Sequence, residues 1–93
     1  MTSDPVNELL SALDEAIALL RGANETHWLA WLEKDRRLIA NGDFYGVEHL
    51  LRAFGGMGSF NDYNLADPDK NAKLCTLRST IYDCAAALQR ARR

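Results

Sequence analysis

Asp35 is the residue whose position in this sequence is hardest to explain by packing. On a helical wheel it lies at the centre of an apolar stripe formed by Trp28, Trp31, Leu32 and Ile39. A carboxylate at such a position is costly unless it is hydrogen-bonded or paired with a charge. Its functional interpretation is a general base or a metal ligand. Its structural interpretation, which is commoner, is a pair with Arg36 or His49, or with backbone N–H groups of a glycine-rich loop.

That glycine-rich loop is Gly55-Gly56-Met57-Gly58. Such loops can hold phosphates through backbone N–H groups, but here no strand precedes the glycines and no Lys-Ser/Thr pair follows them. The pattern therefore favours a tight left-handed turn that returns Met57 and Phe60 to the core. The next residues, Ser59 to Asp62, have the Ser-x-x-acid spacing of a capping box, which predicts a short helical turn.

The histidines and cysteines do not have the spacing of a metal site. His27 and His49 form no H-x-x-x-H pair, and Glu48 and His49 are adjacent, so they point about 100° apart on a helix. Cys75 and Cys84 fall nine residues apart on one predicted helix, too far for a disulfide. We expect no metal, no cofactor and no catalytic residue, and two reduced thiols, as in a cytoplasmic protein.

One group of polar side chains is arranged for recognition. The outward face of a short predicted helix carries Tyr45, Glu48, His49 and Arg52. Tyrosine and arginine are enriched in the energetic centres of protein interfaces, although a solvated helix face is the commoner case. We predict that this face binds a protein partner, together with the residues after the glycines, Asn61, Asp62 and Tyr63.

Four helices must position these groups. Apolar periodicity and punctuation place them at residues 5–21, 25–40, 44–54 and 68–89 or beyond. The predicted N-caps are Asp4, Asn24, Asp43 and Asp67. Gly22 is a suitable C′ residue for the first helix. Gly46, in the first turn of the third helix, costs roughly 1 kcal/mol against alanine, which indicates a close approach by another segment.

Length and composition limit the class of protein. A chain of 93 residues with 47% hydrophobic residues fits a single domain, residues 1–93, that folds without a structural metal or disulfide bonds. Its net charge of −2 argues against nucleic acid, and no apolar run could span a membrane. No signal peptide is visible. We predict an all-α, compact antiparallel bundle of three long helices plus one short helix, located in the cytoplasm.

The centre of the chain resembles a known family. The resemblance rests on Glu33-Lys34-Asp35-Arg36-Arg37, residues 41–46, His49-Leu50-Leu51 and residues 53–62. These segments, about a third of the chain, are similar to a group of small bacterial helical proteins carried as a domain of unknown function. The motif from Phe54 to Asp62 is the most specific part. The structural positions of the motif are Asp35, Asp43, Gly46, Gly55, Gly56, Gly58 and Ser59.

Proteins of this kind resemble immunity proteins of polymorphic toxin systems, which bind and neutralise a cognate secreted toxin. The resemblance therefore implies a cytoplasmic bacterial protein-binding domain whose partner is a toxin protein. The alternative is a small enzyme or ligand-binding domain, with a pocket near Asp35, Asp43, His49 and the Gly55–Gly58 loop. A regulatory helical bundle acting as a homodimer is a third, weaker option. We expect a monomer or a weak homodimer that contacts neither nucleic acid nor membrane.

Overall fold

A computed structural model describes residues 4–55 and 58–92. In these two ranges the chain forms four α-helices, one 3-10 turn and no strand. The helices are α1 (Pro5–Gly22), α2 (His27–Ala40), α3 (Tyr45–Leu51) and α4 (Pro68–Arg92), and the 3-10 turn covers Phe60–Asp62. The predicted all-α class is confirmed. The antiparallel arrangement of the helices stays a prediction.

Aspartates begin the first and last helices as predicted. The side chain of Asp4 accepts a hydrogen bond from the backbone N–H of Val6 at 3.0 Å. Asp67 accepts from the N–H groups of Asp69 and Lys70 at 2.9 and 3.1 Å. Each carboxylate satisfies N–H groups that have no partner inside the helix, and it lies at the positive end of the helix dipole.

The connection between α1 and α2 differs from the prediction. Asn24 is not the N-cap of α2, because it has a φ of 59° and completes the turn that ends α1. Gly22 remains helical, so the left-handed residue is Asn24 and not the glycine. The carboxylate of Glu25 accepts from the N–H groups of Trp28 and Leu29 at 2.6 and 3.2 Å. A longer side chain, one residue later, therefore caps α2.

The third helix is shorter than residues 44–54. The N-cap of α3 is Phe44 and not Asp43 as predicted, but Oδ1 of Asp43 still accepts from the N–H of Tyr45, the first helical residue, at 3.0 Å. The helix ends at Leu51 because the following N–H groups bond three residues back: Ala53 to Leu50 and Phe54 to Leu51. This tighter winding turns the chain toward the glycines one full turn before the predicted end.

The core is formed by the predicted apolar stripes. α1 packs against α2 and α4, and α3 packs against α2 and α4. The largest fully buried side chains are Phe60, Leu9, Leu13, Leu20, Leu32, Leu50, Leu74, Ile81 and Asp35. Within the described ranges, no helix has the length and apolar character needed to cross a bilayer.

Candidate functional site

Asp35 is the one carboxylate among the largest fully buried side chains. It lies on α2 with 0% exposure, between the buried residues Leu32 and Ile39. The predicted position at the centre of the apolar stripe is therefore confirmed. Burial of this kind requires a partner, and the structure selects one of the three that the sequence left open.

The partner of Asp35 is His49 on α3. The Nδ1 atom of His49 lies 2.5 Å from Oδ1 of Asp35, and the His49 side chain is only 15% exposed. Arg36 is not the partner, because it forms a two-pronged salt bridge with Asp14 on α1. No N–H group of the described glycines bonds to Asp35 either. His49 was expected to face outward, but its ring turns inward because this buried acceptor holds it.

Trp31 fixes the other side of the His49 ring. The two rings stack with centroids 4.3 Å apart and an angle of 22° between their planes. The indole Nε1–H of Trp31 also donates to the backbone carbonyl of His49 at 3.2 Å. Stacking and hydrogen bonding together leave the imidazole one orientation. α2 therefore determines where this side chain of α3 lies.

Gly46 allows α3 to approach α2 so closely. A Cβ atom at this position would lie 2.8 Å from Cγ1 of Ile39, 2.9 Å from Cβ of Leu38 and 3.0 Å from the carbonyl oxygen of Asp35. These distances are shorter than real side-chain contacts, so only glycine fits. The close approach predicted from Gly46 is confirmed, and it brings His49 within reach of Asp35.

The electrostatics of the pair follow from burial. Loss of solvation raises the pKa of Asp35 from 3.8 to about 6, although the hydrogen bond and charge of His49 act in the opposite direction. At neutral pH the carboxylate is ionised, so Nδ1–H of His49 donates to Oδ1. The second oxygen, Oδ2, is buried and has no hydrogen-bond partner in the described ranges. Asp35 is thus held by one strong bond.

Because Nδ1 of His49 is bonded to Asp35, the other ring nitrogen, Nε2, is left to bind a ligand or transfer a proton. Nε2 of His49 bonds to no described residue, and the His49 side chain as a whole is 15% exposed. Catalytic histidines and metal-bound histidines are oriented in this way. Clefts of about 940 and 430 Å³ open elsewhere on the molecule, and neither is lined by Asp35 or His49. In the described part of the chain, no group of three His, Cys, Asp or Glu residues could hold a metal.

The outward side of α3 is exposed where the sequence predicted it. Tyr45 is 41% exposed, and both Glu48 and Arg52 are exposed beside it. The guanidinium of Arg52 lies over the Tyr45 ring, 5.8 Å from its centroid, and the Tyr45 ring lies 5.7 Å from that of His49. We call Tyr45, Glu48, Arg52 and the solvent-facing edge of His49 the α3 face.

The two described residues of the glycine segment, Gly55 and Gly58, have the predicted left-handed backbone. Gly55 and Gly58 have φ values of 115° and 79°, which are strained for any residue with a side chain. Phe60 returns to the core with 0% exposure, and its N–H donates to the carbonyl of Ala53 at 2.9 Å. Gly56 and Met57 lie outside the described residues.

The capping box predicted for Ser59 to Asp62 is wrong in its hydrogen bonds, although the helical turn is present. A 3-10 turn does begin at Phe60, but the Ser59 hydroxyl makes no capping bond, and its buried Oγ has no hydrogen-bond partner among residues 4–55 and 58–92. Asp62 reaches one residue further back than expected and accepts from the N–H of Gly58 at 2.8 Å. The acidic residue alone therefore closes this turn.

Arg78 on α4 is a residue that the prediction missed. It is only 8% exposed, and its Nη1 donates to the carbonyls of Phe60 and Tyr63 at 2.9 and 2.5 Å. Its Nη2 donates to Sγ of Cys75 at 3.0 Å. The signal was present, because Arg78 lies between Leu74, Leu77 and Ile81 on the apolar stripe of α4.

The predicted binding surface has two parts, the α3 face and residues 61–63, and no described contact joins them. Asn61 and Asp62 are exposed and Tyr63 is half-buried. Among the described residues, no hydrogen bond, aromatic contact or ion pair joins these three to the α3 face. Their participation in one continuous surface stays a prediction.

Comparison with known proteins identifies a family. A family model described as "Domain of unknown function (DUF6966)" matches residues 21–73, more than half of the chain. The match includes α2, α3 and the glycine segment, and therefore both Asp35 and His49. No curated protein and no solved structure matches the chain.

Proposed function

The chain belongs to the DUF6966 family, which is described as a domain of unknown function, and we propose that it is a protein-binding domain that acts through the α3 face. The observation that carries the proposal is the exposed pair of Tyr45 and Arg52 on a helix whose inner side is fixed by the Asp35–His49 bond. An exposed aromatic ring and guanidinium on a helix held in this way form a preorganised binding surface.

The fixed support matters because binding must overcome the entropy of ordering side chains. Each immobilised, rotamer-rich side chain costs about 0.5–1.5 kcal/mol on association. His49 has already lost that freedom through Asp35 and Trp31. The cation–π contact also restricts Arg52 and Tyr45 before a partner arrives. A partner would therefore meet a surface that is partly ordered in advance.

We propose that the partner is a cognate secreted bacterial toxin, which the domain binds and neutralises. The support is the resemblance of the central motifs to immunity proteins, together with the exposed aromatic and charged side chains of the α3 face. An inhibitor of this type works by shape and charge. The chain has 13 acidic against 11 basic residues, a small bias that favours a basic partner.

Co-expression with the product of the neighbouring gene tests this proposal. The wild-type protein should rescue cells from that toxin and co-purify with it. Tyr45→Ala and Arg52→Ala should each weaken the complex at least about 30-fold, the effect of removing a hot-spot residue. Arg90→Ala is the matched control, because Arg90 is an exposed arginine on α4 and should leave affinity unchanged.

Two results would overturn the proposal. One is a protein that neither rescues cells nor co-purifies with the neighbouring product. The other is a complex that Tyr45→Ala and Arg52→Ala leave as tight as Arg90→Ala does, which would place the interface elsewhere. Circular dichroism of each variant separates loss of contact from loss of fold, since the exposed substitutions should leave the helix signal intact.

A second candidate, an acid–base enzyme or ligand-binding domain, is favoured by one observation. Asp35 orients the ring through Nδ1 and leaves Nε2 without a hydrogen bond to a described residue, as in the catalytic pairs of hydrolytic enzymes. The expected pocket would also need Asp43, but that carboxylate accepts from the N–H of Tyr45 at the start of α3. Nuclear magnetic resonance titration of the His49 ring against a panel of esters and phosphate esters tests this candidate, which fails if no compound shifts the ring signals.

We also propose that the helices form an antiparallel bundle, with α3 packed across three longer helices. α3 contacts both α2 and α4, as this arrangement requires. We propose that the bundle works in the cytoplasm as a monomer or a weak homodimer. Sedimentation at several protein concentrations tests the oligomeric state, and a tight dimer at micromolar concentration would contradict it.

A further inference from the structure

Arg78 is a buried cation whose hydrogen-bond acceptors are all uncharged. Its partners are two backbone carbonyls, those of Phe60 and Tyr63, and the thiol of Cys75. No salt bridge joins it to a carboxylate within residues 4–55 and 58–92. Arginine is almost never buried without a counter-charge, because desolvation of the guanidinium is expensive. Within the described ranges, no carboxylate therefore neutralises the positive charge of Arg78.

A cleft opens directly beside this charge. Its volume is about 430 Å³, within the range of small-molecule sites, and it lies between α4 and the segment that contains the 3-10 turn. Arg78 lines this cleft, and its hydrogen bonds to described residues use Nη1 and Nη2 but not Nε. The wall of the cleft therefore includes a charged group with one N–H that no described residue accepts.

The other walls of the cleft suit an anion that carries an apolar group. Asn61 and Ser79 supply an amide and a hydroxyl, and neither side chain makes a hydrogen bond to a described residue. Phe54 and Tyr82 meet edge to face with centroids 5.4 Å apart, which provides an apolar wall. Asp83, exposed on α4, is the one acidic side chain that lines the cleft.

We propose that this cleft binds a small organic oxyanion, a carboxylate or a phosphate ester, through the guanidinium of Arg78. The oxyanion accepts from Nε–H of Arg78, while its apolar part lies against Phe54 and Tyr82. Charge-assisted bonds from arginine to carboxylate or phosphate are stronger than neutral ones, and their geometry is specific. This site is distinct from the α3 face, and its occupation does not depend on a protein partner.

Titration of the isotope-labelled full chain with three probes tests the site. Benzoate carries both an anion and an apolar ring, acetate carries the anion alone, and inorganic phosphate represents the phosphate source. Sodium chloride holds the ionic strength constant and serves as the blank. We expect saturable changes in the Arg78 Nε–H signal and in the amides of residues 60–63 and 78–83. Benzoate should bind more tightly than acetate because of the aromatic wall.

Two variants at exposed residues test the site without disturbing the fold. Asp83→Asn removes the nearby negative charge and should tighten binding about two- to fivefold, as expected for one partly exposed charge pair. Asn61→Ala removes an exposed donor and should weaken it. The proposal fails if chloride produces the same shifts, if no probe saturates, or if neither variant changes affinity. Phosphate binding without benzoate or acetate binding would identify the phosphate source.

Discussion

Nδ1 of His49 and Oδ1 of Asp35 lie 2.5 Å apart, so the helix that carries the exposed surface is bonded to the centre of the core. The bond joins a side chain that is 15% exposed to one that is fully buried. A hydrogen bond between these environments transmits the position of α2 to α3. The α3 face therefore has the rigidity of the core beneath it.

The raised pKa of Asp35 predicts a pH dependence of folding stability. The folded protein holds this proton up to about pH 6, whereas the unfolded chain releases it near 3.8. Unfolding between these values therefore releases a proton, and the contribution of Asp35 to stability falls as pH rises from about 4 to 6. The fall amounts to at most about 3 kcal/mol, from about 1.4 kcal/mol per pKa unit.

Urea unfolding of the wild-type protein and Asp35→Asn at several pH values measures this effect. The stability of the wild type minus that of the variant should decrease between pH 4 and 6, because asparagine does not titrate. Glu48→Gln, which removes an exposed carboxylate on the same pair of helices, is the control. A wild-type minus Asp35→Asn difference that rises over this range would show that the pKa is lowered, not raised.

Gly46→Ala should destabilise the fold by about 1–3 kcal/mol. The new methyl group would collide with Ile39, Leu38 and the Asp35 carbonyl, and overpacking outweighs the gain of roughly 1 kcal/mol in helix propensity. Gly22→Ala is the control, since nothing lies within 4 Å of that position, and it should be neutral or stabilising. Equal stability of the two variants in thermal unfolding would contradict the close contact of α2 and α3.

Arg78→Met should cost about 2–4 kcal/mol, because the carbonyls of Phe60 and Tyr63 would lose their shared donor. Arg36→Met removes a surface salt bridge to Asp14 instead and should cost less than about 1 kcal/mol. Hydrogen exchange adds a local measurement, since faster exchange at residues 60–63 should accompany Arg78→Met. Similar losses in both variants would mean that Arg78 does not hold the 3-10 turn.

The two cysteines should differ in reactivity toward a thiol reagent. Cys75 is exposed, whereas Cys84 is buried, and burial together with the nearby carboxylate of Glu8 raises the pKa of its thiol. One thiol should react quickly in the native protein and the second only after denaturation. Cys75→Ser identifies the fast thiol, and two fast thiols in the native wild type would contradict the burial of Cys84.

Helix positions and the buried carboxylate could be predicted because each depends on local pattern. Asp35 interrupts an apolar stripe, and Asp4 and Asp67 stand directly before the first residues of α1 and α4. The partner of Asp35 could not be chosen, because the choice depends on where α3 crosses α2. His49 was placed outward for the same reason: a short helix has no periodicity long enough to fix its rotation.

Capping details were harder to predict because several polar side chains compete for the same N–H groups. Glu25 reaches N–H groups that Asn24 was expected to satisfy, and Asp62 bonds Gly58 without help from Ser59. Arg78 was missed although it interrupts the stripe of α4 as clearly as Asp35 interrupts that of α2. Both are polar residues whose burial is explained by a partner distant in sequence.

The tight contact at Gly46 shows which residues of this region tolerate substitution and which do not. Tyr45, Glu48 and Arg52 are exposed, and no hydrogen bond or ion pair joins them to Asp35 in the described ranges, so substitution there should leave the helices in place. The domain is thus a scaffold whose binding specificity can be changed by substitution at Tyr45, Glu48 and Arg52. A designer could install a new partner preference there while Gly46, His49 and Asp35 stay untouched.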